Sequence, residues 1–401
     1  AEQIPFVSIR LNDVHNLIYG DLGDYDNKYN EWISAFCWSN LANLVDPLVP
    51  TKGWDWAVSD IPGHKLDFIK EICKNYAIDG IELDFLRFPS FFNTDETTSD
   101  ERREIMNKFV SDVRAALDDT TGPYRWLSVR VPCHLKDYDD LGLDIQSLSD
   151  IGVDIFNVSS FFPNVQQTTD IGLIRKMIPN KCLLYELEYF SFEVEDGDKK
   201  IRIPTPDEQL YTTANLMYKH GIDGIEWFNF DYFPQFGISK PYYLIENIEN
   251  REFVATRTQQ WYFQANNGKT TELPRSYIAG KSYRYTLDLA LTSSLSSGDG
   301  LFRLMTEADC SGCSWTVNIN GQTLSSTSFV SEPIDHEYLV SPVPVPEPAW
   351  YSTLTDSTRY SSFLVPQSIL HDGINTITIQ MTSGSGTQKL IYFDLVLPPD
   401  S

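Results

Sequence analysis

The stretch Asp79-Gly-Ile-Glu-Leu-Asp-Phe-Leu-Arg-Phe-Pro89 decides the fold of the first part of the chain. It reads as a turn at its Asp-Gly start, then a buried strand, then a stop at the proline. Because side chains alternate along a strand, Glu82 and Asp84 share one face and the large apolar residues share the other. Two carboxylates on one face of a buried strand are costly unless they have partners or a chemical role.

A partial repeat indicates a β/α architecture. The string Ile78-Asp-Gly-Ile-Glu82 recurs as Ile222-Asp-Gly-Ile-Glu226, again after a helical pattern. Strand-like and helix-like runs alternate across residues 4–250, which is typical of a parallel sheet and predicts a (β/α)8 TIM barrel. The length of 401 residues favours two domains.

The predicted strands are Phe6–Arg10, Gly80–Leu86, Trp126–Val131, Asp154–Ser159, Cys182–Tyr189 and Gly224–Phe230. The helical patterns between them lie at about 64–76, 99–118, 143–151, 170–178 and 206–220. Six strands are fewer than the eight of a barrel. We expect the first two β/α units to lie upstream and to be absent from this chain. Irregular strands at Trp32–Trp38 and Trp54–Ser59 are the alternative.

Residues 11–63 contain few helical signals and predict an extended loop on the upper face of the barrel. Its aromatic side chains suit either a rim on which sugars stack or a small local core. They are Tyr19, Tyr25, Tyr29, Trp32, Trp38, Trp54 and Trp56.

The composition changes near residue 265, where Ser, Thr and Gly become common and short alternating runs replace helices. Asn320-Gly321 and Asp372-Gly373 are hairpin turn signals. We therefore predict a barrel domain at 1–255 and a β-sandwich at 265–401, the latter either carbohydrate-binding or structural. Cys310-Ser-Gly-Cys313 lies in this region as either a loop disulfide or two free thiols. The scattered Cys37, Cys73, Cys133 and Cys182 predict buried thiols.

The formal charge of −25 argues against nucleic acid and anionic membranes as partners. No apolar run is long enough to cross a bilayer, so membrane insertion is not expected. We expect a secreted or periplasmic protein whose signal peptide is already removed or never existed. The oligomeric state is open.

Strand alternation places carboxylates and arginines inside the predicted barrel. The inward positions are Arg10 and Asn12, Glu82 and Asp84, Ser128 and Arg130, Asn157 and Ser159, Glu186 and Glu188, and Glu226. Barrel enzymes carry their chemistry at the C-terminal ends of strands. The uppermost predicted residues are therefore Asn12, Asp84, Arg130, Asn157 and Glu188, with Asp13, His15 and Arg87 just beyond the strand ends.

Asp84 and Glu188 lie near the predicted rim on separate strands. Glycoside hydrolysis needs such a pair, since one acid protonates the leaving oxygen and the other attacks the anomeric carbon or activates water. The deeper charges have a second interpretation, a buried ion-pair network that satisfies itself. That network would comprise Arg10, Glu82, Arg130, Glu186 and Glu226.

Other chemistries have weaker support. His15 and Asp13 suit a hydrogen bond to substrate better than a metal ion, because no second histidine clusters with them. No Gly-x-Ser-x-Gly elbow, phosphate-binding loop or dinucleotide fingerprint is present in the sequence, so no cofactor is expected.

Several strings together resemble bacterial glycosyl-hydrolase-like TIM barrels related to family 10. They are Ser8-Ile-Arg-Leu-Asn-Asp-Val-His15, Asp79–Pro89, Ser128-Val-Arg-Val-Pro132, Leu184-Tyr-Glu-Leu-Glu188 and Asp223-Gly-Ile-Glu-Trp-Phe-Asn229. The resemblance covers about residues 1–250 and is weaker through the sandwich. It implies that the first two strings belong to the third and fourth barrel strands, so that two β/α units precede them.

By analogy with retaining barrel enzymes, the resemblance implies that acids on strands four and seven form the catalytic pair. Here these are Asp84 and Glu188, with Glu186 as the alternative to Glu188. The fourth-strand acid is an Asp preceded by Leu83, whereas Asn-Glu is common in that clan. The roles of the two acids could therefore be exchanged, with Asp84 the nucleophile.

We thus expect a cofactor-free glycoside hydrolase that acts on a polysaccharide or oligosaccharide. The predicted substrate-binding residues are Asn12, Asp13, His15, Glu82, Arg87, Arg130, Asn157, Trp227 and Asn229. A non-catalytic glycan-binding protein is one alternative. A polysaccharide lyase, in which Arg130 neutralises a uronate, is the other.

Overall fold

The computed structural model describes residues 5–12, 45, 53–87, 89–119, 122–160, 165–188, 190–196, 199–231, 240–264, 272–291, 299–328 and 357–398, with backbone alone for 190–196 and 199–204. The chain divides into two compact units. One comprises residues 1–161 and 170–185, and the other comprises residues 162–169 and 186–401.

A parallel sheet with helices in its crossovers forms the first unit. Its strands are β1 (Phe6–Arg10), β2 (Gly80–Asp84), β3 (Trp126–Pro132), β4 (Ile155–Ser159) and the start of β5 (Cys182–Glu188). Its helices are α1 (Asp60–Asn75), α2 (Ser99–Asp118), α3 (Tyr138–Leu141), α4 (Ile145–Ile151) and α5 (Ile171–Met177). Each of these strands pairs in parallel with the next, and the sheet order is β1-β2-β3-β4-β5-β8, where β8 is Gly224–Phe228.

The register of these strands produces the predicted face. Ser8, Glu82 and Ser128 lie in one row across β1, β2 and β3. The next row is Arg10, Asp84, Arg130 and Asn157. The opposite face carries apolar side chains that are fully buried, which are Ile81, Leu83, Leu127, Val129, Phe156 and Val158. Burial of these side chains fixes the register, since a shift by one residue would exchange the two faces.

Helix α2 shows how the sequence starts and orients an element. Thr98 Oγ1 accepts the Glu101 amide at 3.3 Å, and Glu101 Oε2 accepts the Thr98 amide at 2.8 Å, which completes a capping box. The apolar face of the helix buries Met106, Phe109 and Val113. Their spacing follows the helical period and directs this face toward the core of the unit.

In the second unit, further β/α elements precede two antiparallel sheets. The first part holds β6 (Phe190–Asp196), β7 (Lys199–Pro204), α6 (Asp207–Lys219), β8, α7 (Tyr242–Glu249) and α8 (Arg251–Ala255). The sheets contain β9 (Gln259–Gln264), β10 (Arg275–Tyr277), β11 (Ser282–Leu289), β12 (Gly300–Thr306), β13 (Ser314–Ile319), β14 (Gln322–Thr323), β15 (Ser325–Thr327), β16 (Tyr360–Val365), β17 (Gly373–Ser383) and β18 (Gln388–Leu397).

One sheet has the order β10-β18-β12-β16-β15, with β9 also paired to β18. The other has the order β11-β17-β13-β14. An aromatic core joins their inner faces, and Phe393 stacks on Phe263 with ring centroids 4.8 Å apart. The fold is therefore an α/β domain followed by a β-sandwich, as predicted.

All six predicted β/α strands and all five helical patterns are present, with boundaries shifted by a few residues. The closed eight-stranded barrel and the proposed domain boundaries stay predictions. The alternative strand at Trp54–Ser59 is wrong, since these residues form a single bridge at Trp54 followed by turns. Trp32–Trp38 lies outside the described residues. The sequence analysis missed the β6–β7 hairpin and strand β9.

The five described cysteines, Cys73, Cys133, Cys182, Cys310 and Cys313, are free thiols. Cys182 is only partly buried, whereas Cys73 and Cys133 are buried as expected, and Cys37 lies outside the described residues. Among the helices that the structure describes, none is long and apolar enough to cross a membrane.

Candidate functional site

Polar side chains of β2, β3 and β4 form two layers on one face of the first unit's sheet. Glu82 lies in the deeper layer, and Asp84 lies in the layer at the carboxyl ends of the strands. Both carboxylates are buried, with exposed fractions of 8% and 4%. Each carboxylate therefore depends on hydrogen-bond partners within the protein.

Asp84 forms a buried ion pair with Arg130. Arg130 Nη1 donates to Asp84 Oδ1 at 3.0 Å and to Oδ2 at 3.2 Å, while its Nη2 donates to Ser159 Oγ at 3.2 Å. Asp84 Oδ1 also accepts the backbone amides of Leu86 at 2.9 Å and Arg87 at 3.0 Å. A guanidinium and two backbone donors thus hold this carboxylate in one orientation.

Neutral side chains donate hydrogen bonds to Glu82. Its Oε1 accepts a hydrogen bond from Ser8 Oγ at 2.9 Å. Its Oε2 accepts from Ser128 Oγ at 3.2 Å and from Asn157 Nδ2 at 3.4 Å. Side chains from β1, β3 and β4 thus contact the Glu82–Asp84 segment of β2, and four of the predicted site residues lie together there, Glu82, Asp84, Arg130 and Asn157.

Asn12 is placed at the strand ends but is engaged by backbone. Its Oδ1 accepts the Trp54 amide at 2.8 Å, and its Nδ2 donates to the carbonyls of Trp54 at 3.2 Å and Ser90 at 2.7 Å. It is fully buried, and a Cβ on Gly53 would lie 1.9 Å from its Nδ2. Asn12 therefore joins the ends of β1 and β2 to the segment that leads into α1, and Gly53 is the sequence signal for this contact.

Of the remaining predicted residues of the first unit, one is described and two are not. Arg87 is described and half-buried, and its amide is bonded to Asp84. Asp13 and His15 lie outside the described residues. His134, which the sequence did not single out, is the second residue after β3 and is 8% exposed. Burial lowers its pKa, while Asp137 and Asp170 oppose that shift.

In the second unit, Glu186 and Glu188 are 4% and 2% exposed on β5. Thr205 Oγ1 donates to the Glu188 carbonyl at 3.0 Å and so fixes the backbone at the end of that strand. Their burial agrees with an inward orientation, and their catalytic role stays a prediction.

Strand β8 carries the last predicted residues, and all five of its side chains, including that of Glu226, are half-buried. Trp227 packs edge-on against Phe230, with ring centroids 5.3 Å apart. Asn229 has φ 57°, in the left-handed region that asparagine tolerates better than most residues. The chain therefore turns sharply where this strand ends.

A groove of about 1240 Å³ lies at the other end of the first unit's sheet. Pro5, Asp79 and Arg125, which precede β1, β2 and β3, line it together with α1 and α2. It contains none of the predicted site residues. We therefore base the candidate site on the carboxylates and their partners.

No family model matches this sequence. A search of curated proteins likewise finds no match.

Several solved structures of carbohydrate-active enzymes are partly similar to this chain. The chitinase ChiA74 from Bacillus thuringiensis has a TM-score of 0.33 and 9% identity, over 85% of this chain and 79% of that chain. A β-porphyranase of glycoside hydrolase family 86 from Bacteroides plebeius has a TM-score of 0.25 and 10% identity, over 80% and 78%.

A cycloisomaltooligosaccharide glucanotransferase from Paenibacillus sp. has a TM-score of 0.25 and 11% identity. The match covers 87% of this chain but only 39% of that protein. These TM-scores are too low for the likeness to carry an argument about function, so the function must be inferred from the residues.

Proposed function

We propose that the chain is a glycoside hydrolase that cleaves a polysaccharide or oligosaccharide with Asp84 and Glu188 as its carboxylate pair. The observation that carries this proposal is the position of Asp84, a buried carboxylate bonded to Arg130 at the carboxyl end of a parallel strand. Such a position is where barrel enzymes hold their reacting groups. The substrate class is a carbohydrate, and the protein is an exported one.

The two oxygens of Asp84 are not equivalent. Oδ1 accepts three donors, whereas within the described residues Oδ2 has a single bond, 3.2 Å long, from Arg130. Oδ2 is therefore the atom left to attack an anomeric carbon or to orient a water molecule. Glu188 would supply the proton to the leaving oxygen, the role of the second carboxyl group in a glycosidase pair.

The other predicted residues would bind the sugar. Arg87 lies three residues beyond Asp84, Trp227 lies near the end of β8, and Asn229 follows that strand. Asp13 and His15 follow Asn12 in the chain. Arg130 would orient Asp84 toward the substrate. Because its guanidinium is already paired with Asp84, the structure gives no support to a lyase in which Arg130 neutralises a uronate.

The test is a screen for new reducing ends over a panel of polysaccharides, followed by variants. Asp84→Asn and Glu188→Gln should each lower kcat by about 10²–10⁴-fold, the usual contribution of a catalytic acid or base. Asp112→Asn is the matched control, because Asp112 forms an exposed pair with Lys108 on α2. Wild-type kcat in Asp84→Asn, with circular dichroism unchanged, would rule out the assignment.

A glycan-binding protein without turnover is the second candidate, and the burial of Asp84 favours it. A carboxylate that is 4% exposed and holds four hydrogen bonds is well satisfied without substrate. Calorimetric binding of an oligosaccharide that the wild type leaves intact would support this candidate. Release of reducing ends by the wild type, and not by Asp84→Asn, would exclude it.

A further inference from the structure

Two adjacent glutamines, Gln166 and Gln167, are buried in the second unit, at 2% and 5% exposure. They lie in the segment that follows β4 in the chain, and this segment belongs to the same compact unit as the sandwich. Buried amides are costly unless every donor and acceptor has a partner. The hydrogen-bond partners of Gln166 and Gln167 therefore show what these two side chains stabilise.

Gln166 bonds to the backbone of β9. Its Oε1 accepts the Tyr262 amide at 3.2 Å, and its Nε2 donates to the Gln260 carbonyl at 3.1 Å. Nε2 also lies 3.3 Å from Thr213 Oγ1 on α6. The side-chain amide thus supplies one donor and one acceptor to the strand, as a neighbouring strand would.

Gln167 makes the same kind of contact with β11 in the other sheet. Its Oε1 accepts the Asp288 amide at 2.9 Å, and its Nε2 donates to the Asp288 carbonyl at 3.1 Å. Both backbone groups of one residue are satisfied by one side chain. The next residue, Thr168, has φ 65°, an uncommon and strained value for a β-branched residue.

Both strands lie at sheet edges. Within the described residues β9 pairs with β18 alone, and β11 pairs with β17 alone. An exposed edge presents unpaired amides and carbonyls and invites pairing with another chain. Gln166 and Gln167 cover one edge in each of the two sheets.

We propose that Gln166 and Gln167 form a clamp by which one edge strand of each sheet holds the segment after β4, so that residues 165–168 fold as part of the second unit's sandwich. Loops at the carboxyl ends of parallel strands carry substrate contacts in barrel enzymes. Fixing residues 165–168 would thus position the loop that leaves β4. This catalytic consequence rests on the proposed function, whereas the clamp itself does not.

Hydrogen exchange on the full chain tests the clamp directly. In Gln166→Ala the Tyr262 amide should exchange at least tenfold faster, and in Gln167→Ala the same should hold for Asp288, because each amide loses its acceptor. Gln167→Glu keeps the acceptor but removes the donor to the Asp288 carbonyl. It should therefore preserve part of the protection of the Asp288 amide even where the alanine variant is too unstable to study.

The matched control is Gln146→Ala, since Gln146 is an exposed glutamine of α4 whose amide donates to Asp150. It should leave exchange at both edges unchanged. Unchanged exchange of Tyr262 and Asp288 in the clamp variants themselves would overturn the clamp.

Kinetics separate the clamp from the proposed function. Gln167→Ala should raise KM for the glycan several-fold more than it lowers kcat, while Gln167→Glu should restore part of the difference. Faster exchange with unchanged KM would overturn the positioning role. Absence of hydrolysis by the wild type, with faster exchange in the variants, would contradict the proposed function and support the clamp.

Discussion

Arg130 and Asp84 are register partners on neighbouring strands, and Arg130 Nη1 lies 3.0 Å from Asp84 Oδ1. Both side chains are almost fully buried, at 2% and 4% exposure. A buried pair of this kind contributes little to stability when compared with apolar residues of the same size. Removal of one partner is strongly destabilising, because it leaves the charge of the other partner buried and uncompensated.

We therefore expect Arg130→Met to lower the free energy of unfolding by about 3–5 kcal/mol. Urea unfolding followed by tryptophan fluorescence measures this change. The matched control is Arg103→Met, whose arginine forms exposed pairs with Asp100 and Asp139 and should cost about 0–1 kcal/mol. Equal losses in the two variants would contradict the description of the Arg130–Asp84 pair as buried.

The row that contains Arg130 and Asp84 could be predicted from the sequence because a strand has a period of two. Once one carboxylate is assigned inward, every second residue follows, and the observed register agrees. The partners of Glu82 could not be predicted in this way. Ser8 and Ser128 reach it only because β1 and β3 align with β2 in one particular register, and this register depends on the packing of the opposite face.

Strand β9 was missed for a related reason. All six of its residues, Gln259-Gln-Trp-Tyr-Phe-Gln264, are buried, so the alternation of polar and apolar residues that marks a half-exposed strand is absent. Its polar residues are satisfied by partners distant in the chain, such as Asp394 Oδ2, 2.8 Å from Gln260 Nε2. Local sequence contains no information about such partners.

His134 predicts a pH dependence of stability. Its folded pKa is lowered by burial from an unfolded value of about 6.5, so the unfolded chain binds the proton more readily. Stability from the neutral imidazole is complete above about pH 6.5 and is lost as the pH falls toward the lower folded pKa. His134→Gln should therefore reduce the slope of unfolding free energy against pH as the pH falls below about 6.5.

The same two proteins at pH 8 supply the control for His134. There the imidazole is neutral in both the folded and the unfolded chain. The difference in unfolding free energy between wild type and His134→Gln should therefore not change with pH near pH 8. Identical slopes for wild type and His134→Gln in the acidic window would show that His134 is not the titrating group.

The Cys310 and Cys313 thiols are predicted to form a disulfide on mild oxidation. They close a turn in which the Cys313 amide donates to the Cys310 carbonyl at 2.8 Å, and turns of this kind keep their first and last Cα atoms within about 7 Å. Disulfides need Cα atoms about 4.4–6.8 Å apart. Two thiols and oxidised glutathione would give one disulfide and two molecules of reduced glutathione.

Intact mass after oxidation measures this reaction as the loss of two hydrogen atoms, reversed by a reducing agent. Cys313→Ser should instead retain one thiol or gain one glutathione at Cys310. Oxidised wild type that still titrates both thiols would contradict the prediction. Burial raises the pKa of Cys310, so oxidation should be slow at neutral pH and faster in alkali.

Trp56 decides between the two interpretations of the aromatic residues in the segment 11–63. The side chain is 1% exposed and packs edge-on against Phe91 and Phe109, with ring centroids 5.2 Å and 4.9 Å away. Trp54 is also buried, at 7%. These two tryptophans therefore belong to a local core, while the other five aromatic residues lie outside the described residues.

Trp56→Ala should accordingly lower the free energy of unfolding by about 3–5 kcal/mol, the usual cost of removing a buried aromatic side chain. Trp126 is the matched control, since it is 43% exposed at the start of β3 and its replacement by Ala should cost less than about 1 kcal/mol. Glycan affinity measured at a temperature where both variants are folded completes the test. A core role for Trp56 requires that its loss reduce stability and leave affinity unchanged, whereas the reverse pattern would make it a sugar-stacking residue.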